Sequence, residues 1–174
     1  MQQAGYSIDI KYTHKSTLER SAKLITRDGV KCFEIPHMSE YSIIVKSRHE
    51  ERALFMVYVD GIEMEEFKLE RGVKKINSPS GSWRRLTFIN PLKLSQGFNK
   101  CKQIATDGNI KIRVYSRLHS LRDCEEFEPC TKFHVTLVDT LDIPKSVTKE
   151  VVLPVAATVE MFDQPLPDIY KRIK

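Results

Sequence analysis

The chain has 174 residues, 41% of them hydrophobic and 29% charged, and carries a net charge of +5. A chain of this length buries roughly 70% of the surface its unfolded form exposes, so it needs neither metal nor disulfide to fold. Seven Gly and eight Pro exclude a fibrous or linker-rich chain, and the positive balance admits an anionic partner without reaching that of a histone-like tail.

Extended segments of period two dominate the chain. The opening, MQQAGYSIDIKYTHKSTLER, has neither a basic n-region nor an apolar h-region. No apolar run approaches the ~18 residues of a membrane span. Both point to a cytoplasmic or nuclear protein with no membrane partner. Within YSIDIKYT, Ile8, Ile10 and Tyr12 share one face. KSTLERSAKLI offers helical spacing, although the stretch from Thr17 to Arg27 reads equally as strand. GVKCFEI sets Phe33 and Ile35 on one side, and EYSIIVKS sets Tyr41, Ile43 and Val45 on one side. ALFMVYVD is apolar on both faces and predicts a strand covered from both sides. EEFKLE then alternates through Phe67 and Leu69, and WRRLTFIN through Leu86 and Phe88.

QGFNKCKQIA is a second helical candidate and SLRDCEEF a third. Between them, NIKIRVYSR turns Ile110, Ile112 and Val114 inward and Lys111, Arg113, Tyr115 and Arg117 outward. TKFHVTLVD directs Phe133, Val135 and Leu137 inward. EVVLPVAATVEMF is the last extended piece, with Pro154 marking an edge or a break. Turn signals fall at Asp28-Gly29, Asp60-Gly61, Gly72, Ser80-Gly81 and Asp107-Gly108. Strands without intervening helices predict an all-β fold: an antiparallel two-sheet β-sandwich, jelly-roll-like, with one or two short helices. A single domain spans residues 1–162, most regular over 41–117, and a Pro-flanked basic arm occupies 163–174.

Motifs that carry chemistry are scarce. Neither the Gly-rich phosphate loops nor the hydrolase and zinc-protease signatures occur, and no cofactor or catalytic residue is expected. Four cysteines, Cys32, Cys101, Cys124 and Cys130, read most simply as free thiols. A Cys124–Cys130 disulfide is the rival in a secreted protein. One metal-like set, His119, Cys124, Cys130 and His134, has the donor types of a tetrahedral zinc site but five residues between its cysteines instead of two to four. Glu63, Glu65 and Glu66 follow a turn and read as a charged edge that discourages sheet-to-sheet pairing. Trp83 reads as a core or loop-anchoring residue.

The basic residues are more pointed. Alternation places Lys111, Arg113, Tyr115 and Arg117 on one side of one strand, and Arg84 and Arg85 precede another. Such a stripe with an aromatic in it can track a phosphate backbone and stack a base, or lie neutralised by acids such as Glu66 and Glu70 on adjoining strands. The tail, through Pro165, Pro167, Ile169 and Tyr170, is suited to docking on a partner or a second copy.

The succession YSIIV, VYVDG, F-x-L-x-x-G, LTFIN and GNIKIRVYSR resembles a group of uncharacterised eukaryotic β-sandwich domains with a V-D-G turn. The likeness covers residues 41–117 and implies a sandwich fold with no catalytic residues. The function expected from these readings is a non-enzymatic interaction or assembly module, binding a protein or itself through sheet edges, loops and the C-terminal arm. The alternatives are nucleic-acid binding through the basic strand face, and a viral coat or spike jelly roll.

Overall fold

Each alternating segment leaves one apolar side that has to be covered, and here the strands cover one another. The computed structural model describes residues 1–15, 18–93, 97–116 and 128–140. Sheet A runs in space through β1 (Gln2–Gln3), β2 (Tyr6–Thr13), β6 (Glu40–Ser47), β10 (Arg85–Phe88) and β11 (Gln103–Thr106). Two further strands join it, β3 (Arg20–Ser21) on β2 and β9 (Gly72–Ile76) on β6. Sheet B runs through β4 (Lys23–Arg27), β5 (Val30–Ile35), β13 (Thr131–Asp139), β12 (Asn109–Ser116), β7 (Ala53–Val59) and β8 (Ile62–Leu69).

The two sheets meet across one core. Sheet A contributes Tyr6, Ile8, Ile10, Tyr41, Ile43, Val45, Leu86 and Phe88. Sheet B contributes Phe33, Phe55, Val57, Ile110, Ile112, Val114, Phe133 and Val135. Tyr6 packs edge-on against Phe55 at 5.5 Å, and Phe55 stacks on Phe67 at 5.0 Å. Each fully buried apolar side chain of this core contributes about 1.5–3 kcal/mol, and Phe67, partly buried, contributes less. The inward residues read from alternation therefore hold.

Two ladders are parallel, β10 with β11 and β5 with β13, so the sheets are mixed where sequence reading gives antiparallel ones. In both cases a long connection returns the chain to the same end of the sheet, as parallel pairing requires. No helix forms among the described residues. The first helical candidate becomes β3 and β4. Ala22 N donates to Ile10 O at 2.8 Å as the chain crosses from sheet A to sheet B, and these edge bonds outweigh its helical spacing. The second ends in β11, behind a turn. The third, the EVVLPVAATVEMF segment and the arm 163–174 lie outside the described residues, and among those described no helix is long and apolar enough to cross a membrane.

The Asp-Gly turns form as the sequence implies. Asp28 and Gly29 have φ of 51° and 78°, and Asp60 and Gly61 have 53° and 79°, the paired positive angles of a two-residue hairpin turn. Asp60 does more. Its Oδ2 accepts from Asp107 N at 2.7 Å and its Oδ1 from Asn109 N at 3.0 Å, while Asp60 N donates to Asn109 O at 2.8 Å. The V-D-G turn thus clasps the start of β12. Gly108, inside that clasp, has φ of 80° and lies so close to Leu137 that an added Cβ would meet Leu137 Cβ at 2.5 Å. The two glycine motifs of the V-D-G resemblance are in this way one physical unit.

Strands β9 and β10 lie end to end along the same edge of β6. Residues 77–84 loop out between them, and Leu86 N returns to Asn77 O at 3.0 Å. Within the loop Ser82 N donates to Pro79 O at 3.0 Å, and Gly81 has φ of 77°, which fits the third position of a type II turn. Trp83 stands on this loop 68% exposed, not in the core.

Candidate interaction surfaces

The basic strand face is real in register but different in composition from its sequence reading. On the outer side of sheet B, Lys111 lies opposite His134 and Arg113 opposite Lys132, giving a block of four basic side chains. Like charges placed directly opposite repel, and the block is relieved in part by Lys132 pairing with Glu128 at 3.6 Å. The Arg113 guanidinium lies 5.5 Å from the Tyr58 ring centre. Among the described residues no carboxylate comes within ion-pair distance of Lys111 or Arg113. His134 Nε2 donates to Asn109 Oδ1 at 2.8 Å. Burial, and then the charge of Lys111, hold its pKa below the ordinary value.

Tyr115 shares this face and faces Leu54 across the ladder, yet it is only 3% exposed and packs with Leu54 and Met56 in a second apolar cluster. Its ring is not presented to solvent as the stacking role requires. Alternation identifies the face, and the two-sided apolar pattern of β7 is borne out by its burial; what neither reveals is that Tyr115 lies beside β7 and is buried with it. Arg117 lies outside the described residues.

Arg84 and Arg85 do not join this block, because they belong to sheet A. Arg84 is half-buried: its Nη2 donates to Gln103 O at 3.0 Å, and its Nε is buried with no hydrogen-bond partner. Exposed Arg85 lines a polar groove of about 280 Å³ with Lys11, Lys75, Glu19, Glu40 and Ser42, where Lys75 pairs with Glu19 at 2.8 Å.

Half of the metal-like set is described. Cys130 is a free thiol, and His134 is four residues further along the same extended segment, about 13 Å away at strand rise. His119 and Cys124 lie outside the described residues. Among those described, no group of three or more His, Cys, Asp or Glu side chains is placed to hold a metal.

Two polar assemblies were not legible in the sequence. At one end of the sandwich a cleft of about 530 Å³ is lined by Tyr6, His49, Glu50, Glu51, Tyr115 and Cys130, among others. Burial, reinforced by Cys130 and Glu51, pushes the Tyr6 phenol up to about 12, so it is protonated at neutral pH. Glu50 on the rim is paired with Arg71. Elsewhere, Asn90 Nδ2 donates to Asp139 Oδ2 at 3.2 Å, Lys93 Nζ donates to the same oxygen, and Asn90 N donates to His37 Nδ1 at 2.9 Å. Nearby, Ser39 Oγ contacts His14 Nδ1 at 3.3 Å. That serine is 0% exposed, so its hydroxyl has no route to a substrate. The assembly cross-ties loops around the buried Asp139 carboxylate.

The edges of sheet B differ. β8 carries Glu63, Glu65 and Glu66, and the loop 77–84 reaches across to it: Ser80 N donates to Met64 O at 2.7 Å. β4 is the other terminal strand. Its ladder with β5 is regular, pairing Lys23 with Glu34, Ile25 with Cys32 and Arg27 with Val30. In a two-residue hairpin the residues flanking the turn exchange hydrogen bonds, and alternate pairs follow suit. Arg27, Ile25 and Lys23 therefore bond inward to β5, which leaves the N–H and C=O groups of Leu24 and Thr26 pointing outward. No described strand hydrogen-bonds along that side of β4. Compared with known proteins, the chain matches no family model, and no curated protein matches it either.

Proposed function

We propose that the protein is a non-enzymatic interaction module that accepts an extended strand of a partner along β4. One observation carries this reading: β4 is the terminal strand of sheet B, its ladder is regular, the backbone groups of Leu24 and Thr26 are directed outward, and no described strand pairs with them. Such an edge is a template for strand addition. Thr26→Pro tests it. It removes one outward N–H and no ladder bond, and proline is tolerated in that position on an edge strand. The variant keeps its thermal midpoint and loses a partner that the unmodified chain retains; retention unchanged in a folded variant would contradict the reading.

A coat or spike subunit of the jelly-roll kind is the same reading with further copies as the partner, and concentration-dependent assembly by light scattering would distinguish it. The basic block of Lys111, Arg113, Lys132 and His134 supports a second reading, nucleic-acid binding by phosphate contact without base stacking on Tyr115. Retention on a polyanion that falls steeply with salt, and is lost in Lys111→Glu/Arg113→Glu, would favour it. The arm residues Pro165, Pro167, Ile169 and Tyr170 remain candidates for partner contact within the first reading.

A further inference from the structure

We infer that the partner strand β4 selects is acidic, with the pattern acid-x-apolar-x-acid, and that it comes from another protein and not from a second copy. The inference rests on the edge-strand reading above and adds its chemistry. Lys23, Ile25 and Arg27 share the outer side of sheet B, while Leu24 and Thr26 turn toward the core side. Lys23 and Arg27 are exposed and Ile25 is half-buried. A strand hydrogen-bonded to Leu24 and Thr26 places its own side chains directly opposite these residues, at about 4.5–5.5 Å between Cβ atoms. Carboxylates opposite Lys23 and Arg27 then form cross-strand ion pairs, and an apolar residue opposite Ile25 extends the apolar strip Ile25 makes with buried Cys32. The pattern reads the same in both directions, so charge fixes the partner's composition and leaves its polarity free.

A second copy fits poorly for the same reason. In the antiparallel register that engages the outward groups of Leu24 and Thr26 on both chains, Ile25 meets Ile25 and Lys23 meets the second copy's Arg27. That is a like-charge opposition, and it occurs twice around the two-fold axis. The cations thus act against self-pairing and for an acidic guest at once.

The test is a titration of the full chain, followed by amide spectra, with a peptide whose core is Glu-Thr-Val-Thr-Glu, and in parallel with its Lys-Thr-Val-Thr-Lys counterpart. The acidic peptide shifts the Leu24 and Thr26 amides and binds about tenfold tighter than the basic one, with an advantage that shrinks as salt is raised. Lys23→Glu/Arg27→Glu reverses the preference, and Thr26→Pro weakens both. Equal binding of the two peptides at these amides would overturn the charge selection and leave the edge reading standing. No shift at Leu24 or Thr26 with either peptide would overturn both. Self-association of the unmodified chain that Thr26→Pro disrupts would replace the acidic guest with a second copy.

Discussion

The two edges of sheet B solve one problem in opposite ways. Any terminal strand exposes a row of unpaired backbone groups that invites another chain. At β8 that invitation is withdrawn. The pairing with β7 is irregular between Val57 and Tyr58, carboxylates line the strand, and the loop 77–84 binds Met64 O through Ser80 N. Lys74 in sheet A pairs with Glu65 at 2.9 Å and lies 5.6 Å from the Phe67 ring centre, closing the corner between the sheets. At β4 the ladder is regular, the exposed charges are the cations Lys23 and Arg27, and no described strand or loop hydrogen-bonds along its outer side. Among the described residues, one edge is thus covered by residues distant in sequence and the other is left with its outward backbone groups without a strand beside them, which is the contrast the proposed strand addition rests on.

The largest expected effect comes from loosening the clasp that anchors the β7–β8 turn. Gly108→Ala combines a positive φ with a Cβ driven against Leu137, and chemical denaturation should show a loss of about 3 kcal/mol or more. Asp60→Ala removes both carboxylate bonds to Asp107 and Asn109 and strains the turn, for about 1–3 kcal/mol. Asp60→Asn should lose less, because asparagine tolerates the turn and keeps one acceptor.

Smaller, and more specific to the edge contrast, is Ser80→Pro. The second position of a type II turn accepts proline, so the change deletes the N–H that covers Met64 O and little else. Stability should fall by about 1 kcal/mol, and light scattering during refolding should rise as β8 becomes available.

The smallest effect belongs to two histidines away from these edges, His134 on β13 and His14 just past β2. His134 is held below its ordinary pKa by burial and Lys111, and His14 by burial and Lys15. As pH falls through about 6.5 the unfolded chain takes up these protons before the folded one does. Stability is therefore intact above that value and declines below it. Denaturant midpoints should drop modestly between about pH 7.5 and about pH 5.5, and His134→Gln should flatten part of the decline.

Much of this framework is written in local spacing. Period-two segments name the inward residues from Ile8 to Leu137, and the Asp-Gly pairs name two hairpin turns, because both depend only on near neighbours. The acidic character of β8 is legible in Glu63, Glu65 and Glu66 for the same reason. What escapes the sequence is long-range. Nothing in residues 18–27 says that the chain there crosses between sheets and ends as the terminal described strand of sheet B. Nothing around Tyr115 says that Leu54 and Met56 lie opposite and bury it. Arg84 and Arg85 fall on the other sheet from Lys111 and Arg113, so residues that look like one basic surface are two. The clasp from Asp60 to Asn109 spans some fifty residues and appears only once β7 and β12 are adjacent.

The openness of β4 is most directly tested by native-state amide hydrogen exchange on the isolated chain at low concentration. Leu24 and Thr26 should exchange at rates close to those of loop amides, while Ile25, bonded inward to β5, is protected. Protection of Leu24 and Thr26 equal to that of Ile25 would mean that this edge is already covered, and would contradict the account.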